Sequence, residues 1–399
     1  MDERNNKKSN KKILIVSAVL LLLVGAAVYL LFFAPSGGLQ DAVKKVVGDV
    51  LDFAIRDQGP TGEVATTTRP KPGPPLPPAG IQRLIQLTDF PVLGPAFNRD
   101  QLRIRYYKKD GGDLYESDFI GTIQEKISNI TIVGLAEVIP HRDTERAALL
   151  YLDKDTLKGF LHSATSAIEA LPDNIRSFSW SPDGGRFVRV MRGPNGADVV
   201  IANGDGSNAQ KIYSSPIPDI TAEWIASDTL SLATPPSLFA QGFLFTLTRS
   251  TGALKRIMGP EFGLMHIWRN DGARLITTNT PSNKNPRPVL TLRGADGALL
   301  KTLPITTLPS KCAWSKTNTY LFCAVPRRPL TGFWPDNYLR GEINTEDNLL
   351  AYNLETDRYI IMLSDHAFDM TDLVVTDDDR FLFFIDRRDG TLWSFRIRE

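Results

Sequence analysis

The chain has 399 residues, with 46 Lys and Arg against 45 Asp and Glu and a formal net charge of +1, a balance that gives no support to a generic nucleic-acid binder. Hydrophobic residues at 42% and charged residues at 23% are globular values and exclude global disorder. Four His and two Cys are too few for a multi-ligand zinc site at the usual spacings, and no metal or other cofactor is expected.

Residues 1–12 form a basic tail, with Arg4, Lys7, Lys8, Lys11 and Lys12 against Asp2 and Glu3. The uncharged run Ile13 to Phe33 has 21 residues. At about 1.5 Å per residue it is long enough for a hydrocarbon core of about 30 Å, and it predicts a single transmembrane helix over 13–34. By the positive-inside rule the basic flank keeps the N-terminus in the cytoplasm, so everything after Ala34 lies outside the cell membrane. A cleaved signal peptide would have an apolar stretch of only about 7–15 residues ending in a small-x-small site. Here Pro35 follows directly on Ala34, and an uncleaved signal anchor is the expectation.

Residues 35–58 carry Leu39, Val43, Val46, Val47, Val50, Leu51 and Ala54 at three- and four-residue steps, the pattern of an amphipathic stalk helix. Two readings fit it: a helix lying on lipid or on the downstream domain, or a short self-associating stalk, so the oligomeric state stays open. Residues 59–79 follow as a linker. The stretch Gly59 to Gly80 holds seven prolines and almost no large apolar side chain, which predicts a semi-rigid polyproline-type spacer.

Residues 80–399 contain a repeat. Ser177 to Val190 reads as an alternating strand ending in Trp180, a Pro-Asp-Gly turn and a second apolar strand; related units start at Thr221, Leu264, Lys311 and Asp372, with weaker ones at Pro95 and Leu135. The residues before the turns, Phe97, Val138, Trp180, Trp224, Trp268, Trp314 and Val375, are separated by 41, 42, 44, 44, 46 and 61 positions. A second hairpin with Asp-Gly, Thr-Gly or similar turn residues follows each well-formed unit, giving four strands per period of about 44 residues, the size of a propeller blade. Seven anchors predict an all-β, seven-bladed β-propeller. The last unit has room for only three strands, whereas Ile81 to Thr88 is a strand without a blade. That segment is expected to complete the C-terminal blade and close the ring, removing an exposed edge.

Trp180-Ser181-Pro182-Asp183-Gly184-Gly185-Arg186-Phe187 resembles the signature of the PD40, or TolB-like, β-propeller repeats, relatives of the WD40 architecture. Trp268-Arg269-Asn270-Asp271-Gly272 is a second copy. The resemblance covers residues 80–399 and implies the fold; as to function, it implies a binding platform outside the cytoplasm, such repeats also occurring appended to peptidase domains.

No G-x-S-x-G elbow, H-E-x-x-H, Walker A or dinucleotide fingerprint occurs, and no catalytic residue is assigned. His141, His162, His266 and His366 fall in separate units and read as surface or strand residues. Asp377-Asp378-Asp379 aligns with the Pro-Asp-Gly turn and reads as turn chemistry rather than a calcium site. Cys312 and Cys323 flank the Trp314 hairpin; with the register open by one residue, a disulfide and two buried thiols both fit.

The 61-residue step comes from an insertion, Arg327 to Asp347, between the second and third strands of its blade. Its Arg327, Arg328, Phe333, Trp334, Tyr338 and Arg340 have the aromatic and Arg-rich composition of a protein-binding hot spot, and equally that of a loop folded on its own blade. The leading functional expectation is a membrane-anchored extracytoplasmic module binding a protein or an envelope glycan. The alternative is a propeller hydrolase or lyase acting on an extracellular carbohydrate or lactone through carboxylates in the central channel.

Overall fold

The computed structural model describes residues 83–398 except 143, 155, 164–168 and 282–286. The expected membrane helix, stalk and Pro-rich spacer lie outside the described residues, among which no helix is long and apolar enough to cross a membrane. Seven four-stranded antiparallel sheets make up the fold, each with its strands in sequence order except the last. The first strands are Val92–Phe97, Leu135–Pro140, Ile175–Trp180, Thr221–Ala226, Met265–Trp268, Cys312–Trp314 and Met370–Val375. First strands of blades 1 and 2, 3 and 4, and 6 and 7 touch one another and blade 7 meets blade 1, so they ring a central axis and the structure is a closed seven-bladed propeller.

Blade 3 shows why the sequence folds this way. Its second strand, Arg186–Gly193, is buried on both faces. Val188 and Val190 pack toward blade 4 with Val199, Ile201 and Trp224, whereas Phe187 packs with Phe178 and Trp180 toward blade 2. A period-2 strand thus serves two interfaces, which is why these strands read as continuous apolar runs. The turn of the repeat motif adds polar closure: Asp183 Oδ1 accepts from Ser181 Oγ at 2.5 Å and from the Gly185 N–H at 3.0 Å. Gly184 sits at φ +73°, and a Cβ there would stand 2.4 Å from Nε2 of His141, on the neighbouring blade. Glycine is therefore required twice over, for its dihedral and for the approach of His141, whose ring meets Trp180 edge-on at 4.7 Å.

The ring closes as the sequence predicts. Leu84–Gln86 pairs antiparallel with the last strand, Leu392–Arg396, in the register Leu84↔Phe395, Ile85↔Ser394 and Gln86↔Trp393. The hydrogen bond from Leu87 N to Leu392 O at 2.8 Å extends the latch, and so does that from Leu392 N to Thr88 Oγ1 at 2.9 Å. In blade 6, Cys312 and Cys323 are directly opposed and joined as a disulfide, which settles the register left open above.

Candidate functional site

The two faces of the ring differ. On the face carrying the turns between first and second strands, the channel opens as a cavity of about 930 Å³. Its wall includes the residue just before five of the seven anchors: Ala96, Glu223, Ile267, Ala313 and Val374 line it. Glu137 and Ser179 hold the equivalent positions in blades 2 and 3, and none of the seven is buried. Glu223 Oε2 lies 3.7 Å from Nε2 of His266. Half of the Glu223 side chain meets channel water, yet the surrounding walls raise its carboxyl to about 7, while burial lowers His266 to about 4. Near pH 7 His266 is neutral, so the contact is not an ion pair. Desolvation by the surrounding walls also pushes Glu137 upward, and the charge of Asp372, from blade 7, pushes it further; Asp372 is itself raised in the same way, although both side chains reach solvent. Around the rim stand Arg99, Arg142 and Lys316 with Asp183 and Asp377, Lys316 being paired to Asp377 at 3.1 Å.

On the opposite face the insertion lies across blades 4 to 7. A short helix, Asp336–Leu339, is its centre. Trp334 and Tyr338 are 2% and 3% exposed, stack at 5.0 Å and pack with Leu308 and Met265, at the leading ends of inner strands. Asp336 accepts from Ser237 Oγ at 2.8 Å and from the Leu238 N–H at 2.7 Å, tying the insertion to a blade 4 loop. Beneath it is a buried charge network. Lys311 Nζ, with no exposed surface, lies 2.6 Å from Asp369, 2.9 Å from Asp347, 2.9 Å from Tyr338 Oη and 3.1 Å from Thr345 Oγ1. Burial alone would raise Asp369, but the Lys311 charge and donors from Lys311, Tyr338 and Thr345 more than offset it and hold the carboxyl low. Arg387 covers the outer face of Tyr338, its guanidinium 4.3 Å from the ring centre.

Of the six insertion residues singled out by composition, the structure separates two groups. Trp334 and Tyr338 are interior, filling the loop's own small core. Phe333 is 47% exposed and meets Phe239, 65% exposed, edge-on at 5.2 Å. Arg327 donates to Asn348 Oδ1 and His366 O, and Arg340 to Glu342; Arg328 is the most exposed of the three. The loop around Phe239 joins the cluster, and the loop before Arg287 falls partly outside the described residues.

Sequence reading did not place the channel carboxylates or the Lys311 network. The signal for Glu137 and Glu223 was a charged residue one position before an anchor, where the strand's alternation points inward. Lys311 and Asp369 gave none, because their meeting depends on contacts between blades. The turn reading of Asp377 to Asp379 fits the geometry: Asp378 Oδ1 accepts from Thr376 and from the Arg380 N–H, and Asp379 takes Lys316 N and Thr317 Oγ1. His141 and His162 are buried, the latter bonded to Tyr107 Oη at 2.8 Å, and His366 is exposed.

No protein-family model and no curated protein matches the chain. Solved structures do. An oligogalacturonate lyase in complex with manganese superposes with TM-score 0.57 at 12% identity, covering 79% of this chain and 93% of that one. The tricorn protease gives TM-score 0.51 at 11% identity over 80% of this chain, which spans about a third (34%) of that protein's length. TolB from Acinetobacter baumannii gives 0.39 at 15% identity over 53% of each chain. At such identities the likeness is one of fold. Among the described residues, no group of three or more His, Cys, Asp or Glu is arranged to hold a metal ion.

Proposed function

We propose that this chain is a membrane-anchored propeller that works outside the cytoplasmic membrane as a binding module, taking a protein or an envelope glycan on the face that bears the insertion. The observation that carries this reading is the exposed Phe239–Phe333 pair, held on a loop whose underside is fixed by Trp334, Tyr338 and the Lys311 network. Exposed aromatics on a pre-ordered support are what binding hot spots are made of, since little entropy is lost when a partner arrives. The apolar run Ile13 to Phe33 with its basic flank supports the anchor and its orientation.

The test is a photo-crosslinking residue placed at Phe333, and separately at the distant Leu102, in the full-length chain in membranes. A discrete adduct from position 333 alone is expected, and Phe239→Ala should weaken it about tenfold. Equal adducts from both positions, or none from 333, would dismiss the surface. Protease added from the outer side should digest residues after 35 in intact cells; protection would dismiss the orientation.

A second reading is favoured by the channel. Glu223, poised at about 7 beside a neutral His266, has the protonation behaviour of a general acid or base. Under that reading the chain is a hydrolase or lyase, and the fold-level likeness to an oligogalacturonate lyase makes acidic oligosaccharides the first substrates to try. Turnover lost in Glu223→Gln would establish it; no turnover with acidic oligosaccharides or lactones leaves the binding module.

A further inference from the structure

The insertion also lines a cavity of about 480 Å³, a volume within the range of small-ligand sites. Its apolar wall is Trp334, Leu330, Ile343 and Pro326, and its polar rim includes Arg328, Arg388 and Glu346. Five arginines surround the insertion, and their donors are used very differently. Arg327 donates to Asn348 and His366, Arg340 to Glu342, and Arg387 to Tyr338 O at 2.6 Å, Ile343 O at 3.2 Å and Asn344 Oδ1 at 3.2 Å. Arg328 and Arg388, the two that line the cavity, make no side-chain hydrogen bond to any described residue. Their acidic neighbours stand off at 3.5 Å: Glu346 from Arg328 and Asp386 from Arg388. Asp386 Oδ1 already accepts from the backbone N–H groups of Asp369 and Arg388.

Two guanidinium forks at the rim of an apolar cleft, each with one acidic partner at 3.5 Å and no side-chain hydrogen bond to a described residue, define a ligand class. A planar carboxylate matches the fork geometry of Arg, and an apolar group attached to it would fill the cleft over Trp334 and Leu330. Glu346 on the rim and Asp386 behind Arg388 offset much of the charge of the two arginines, which suits a monoanion better than a phosphate dianion. We infer that the cavity binds an apolar group bearing a free carboxylate, held by Arg328 and Arg388. The chemistry is shared by the carboxyl end of a peptide with an apolar last side chain and by a small organic acid. This inference deepens the binding-module reading, on which it rests, since it supplies a chemistry recognised by the same insertion.

Calorimetric titration of the full-length chain tests it with two probes, phenylacetate and an N-acetylated tetrapeptide ending in leucine, each against its own amide. At least tenfold tighter binding of an acid than of its amide is expected, with a loss of at least tenfold in Arg328→Ala/Arg388→Ala. Glu346→Gln should tighten binding by removing the competing carboxylate, an effect that a purely structural role for the arginines would not produce. Preference for the peptide acid alone identifies a chain terminus, and preference for phenylacetate alone a small acid. No preference for either acid over its amide, with circular dichroism showing a folded protein, would overturn the inference. That result would leave the crosslink at position 333 standing if the binding face is right and the ligand class wrong.

Discussion

The two faces of this propeller are built from the same repeat and end up chemically opposed. On the turn face each blade contributes similar short hairpins, and seven similar contributions leave an open hole whose ion pairs, such as Lys316–Asp377, stand in water. The other face has one blade that departs from the repeat, and its 21-residue insertion reaches across to blade 4 and buries a lysine and two aspartates completely. Symmetry makes the scaffold; the departure from symmetry makes a surface unlike any other on the ring. Binding residues belong on irregular segments held by regular ones, and here the holding is done by buried charge.

That contrast depends on the ring being closed, so the largest effect should come from the latch. Removing residues 81–88 takes away the outer strand of blade 7, with the Leu84↔Phe395 pairing and the Thr88 bond to Leu392. It also exposes the edge of Leu392–Arg396. Removing 59–79 touches no described contact. The first deletion should lower the melting temperature by well over 10 °C or prevent folding, and the second should leave it within error; equal melting temperatures would mean the ring does not rely on its latch.

Next in size is the difference between the two lysines. Lys311→Met strands two carboxylates that have no exposed surface, and breaking a buried pair in this way costs about 3–5 kcal/mol. Lys316→Met breaks a pair whose side chains are 39% and 58% exposed and should cost under about 1 kcal/mol. Denaturant unfolding measures both. Similar losses would mean that the insertion is not held by its charge network.

How far these features were legible in the sequence follows from how local they are. The blade count, the hairpins and the latch could be read because turn residues and alternation act over a few positions: Trp180, Asp183 and Gly184 announce their hairpin without help from the rest of the chain. Cys312 and Cys323 were legible up to a register ambiguity of one residue, which only the pairing of the two strands resolves. Composition grouped Phe333 and Trp334 as one patch, yet they are neighbours on opposite sides of a turn, one facing solvent and the other the loop's core. The Lys311–Asp347–Asp369 network brings together residues up to 58 positions apart from two blades, and no local pattern encodes that meeting.

The smallest expected effect sharpens the comparison from the side of the channel. Glu223 is raised from 4.5 to about 7, so folding takes up a proton there between those values; its stabilising contribution is complete below pH 4.5 and is lost as pH rises through 7. His266 is lowered from 6.5 to about 4, so its contribution is present above pH 6.5 and is lost as pH falls toward 4. Between pH 4.5 and 6.5 the folded chain keeps the proton on the glutamate, whereas the unfolded chain keeps it on the histidine. The number of bound protons is then equal in the two states, and the pair adds almost no slope to stability against pH. Single substitutions should uncover opposite slopes in that window relative to the parent chain. His266→Asn leaves the glutamate term and makes stability fall as pH rises, while Glu223→Gln leaves the histidine term and makes stability fall as pH drops. Thermal melts of the three proteins between pH 4.5 and 6.5 read this directly. Parallel curves would show that the two side chains are solvated as freely as the rim pair Lys316–Asp377 and that the channel wall does not govern their protonation.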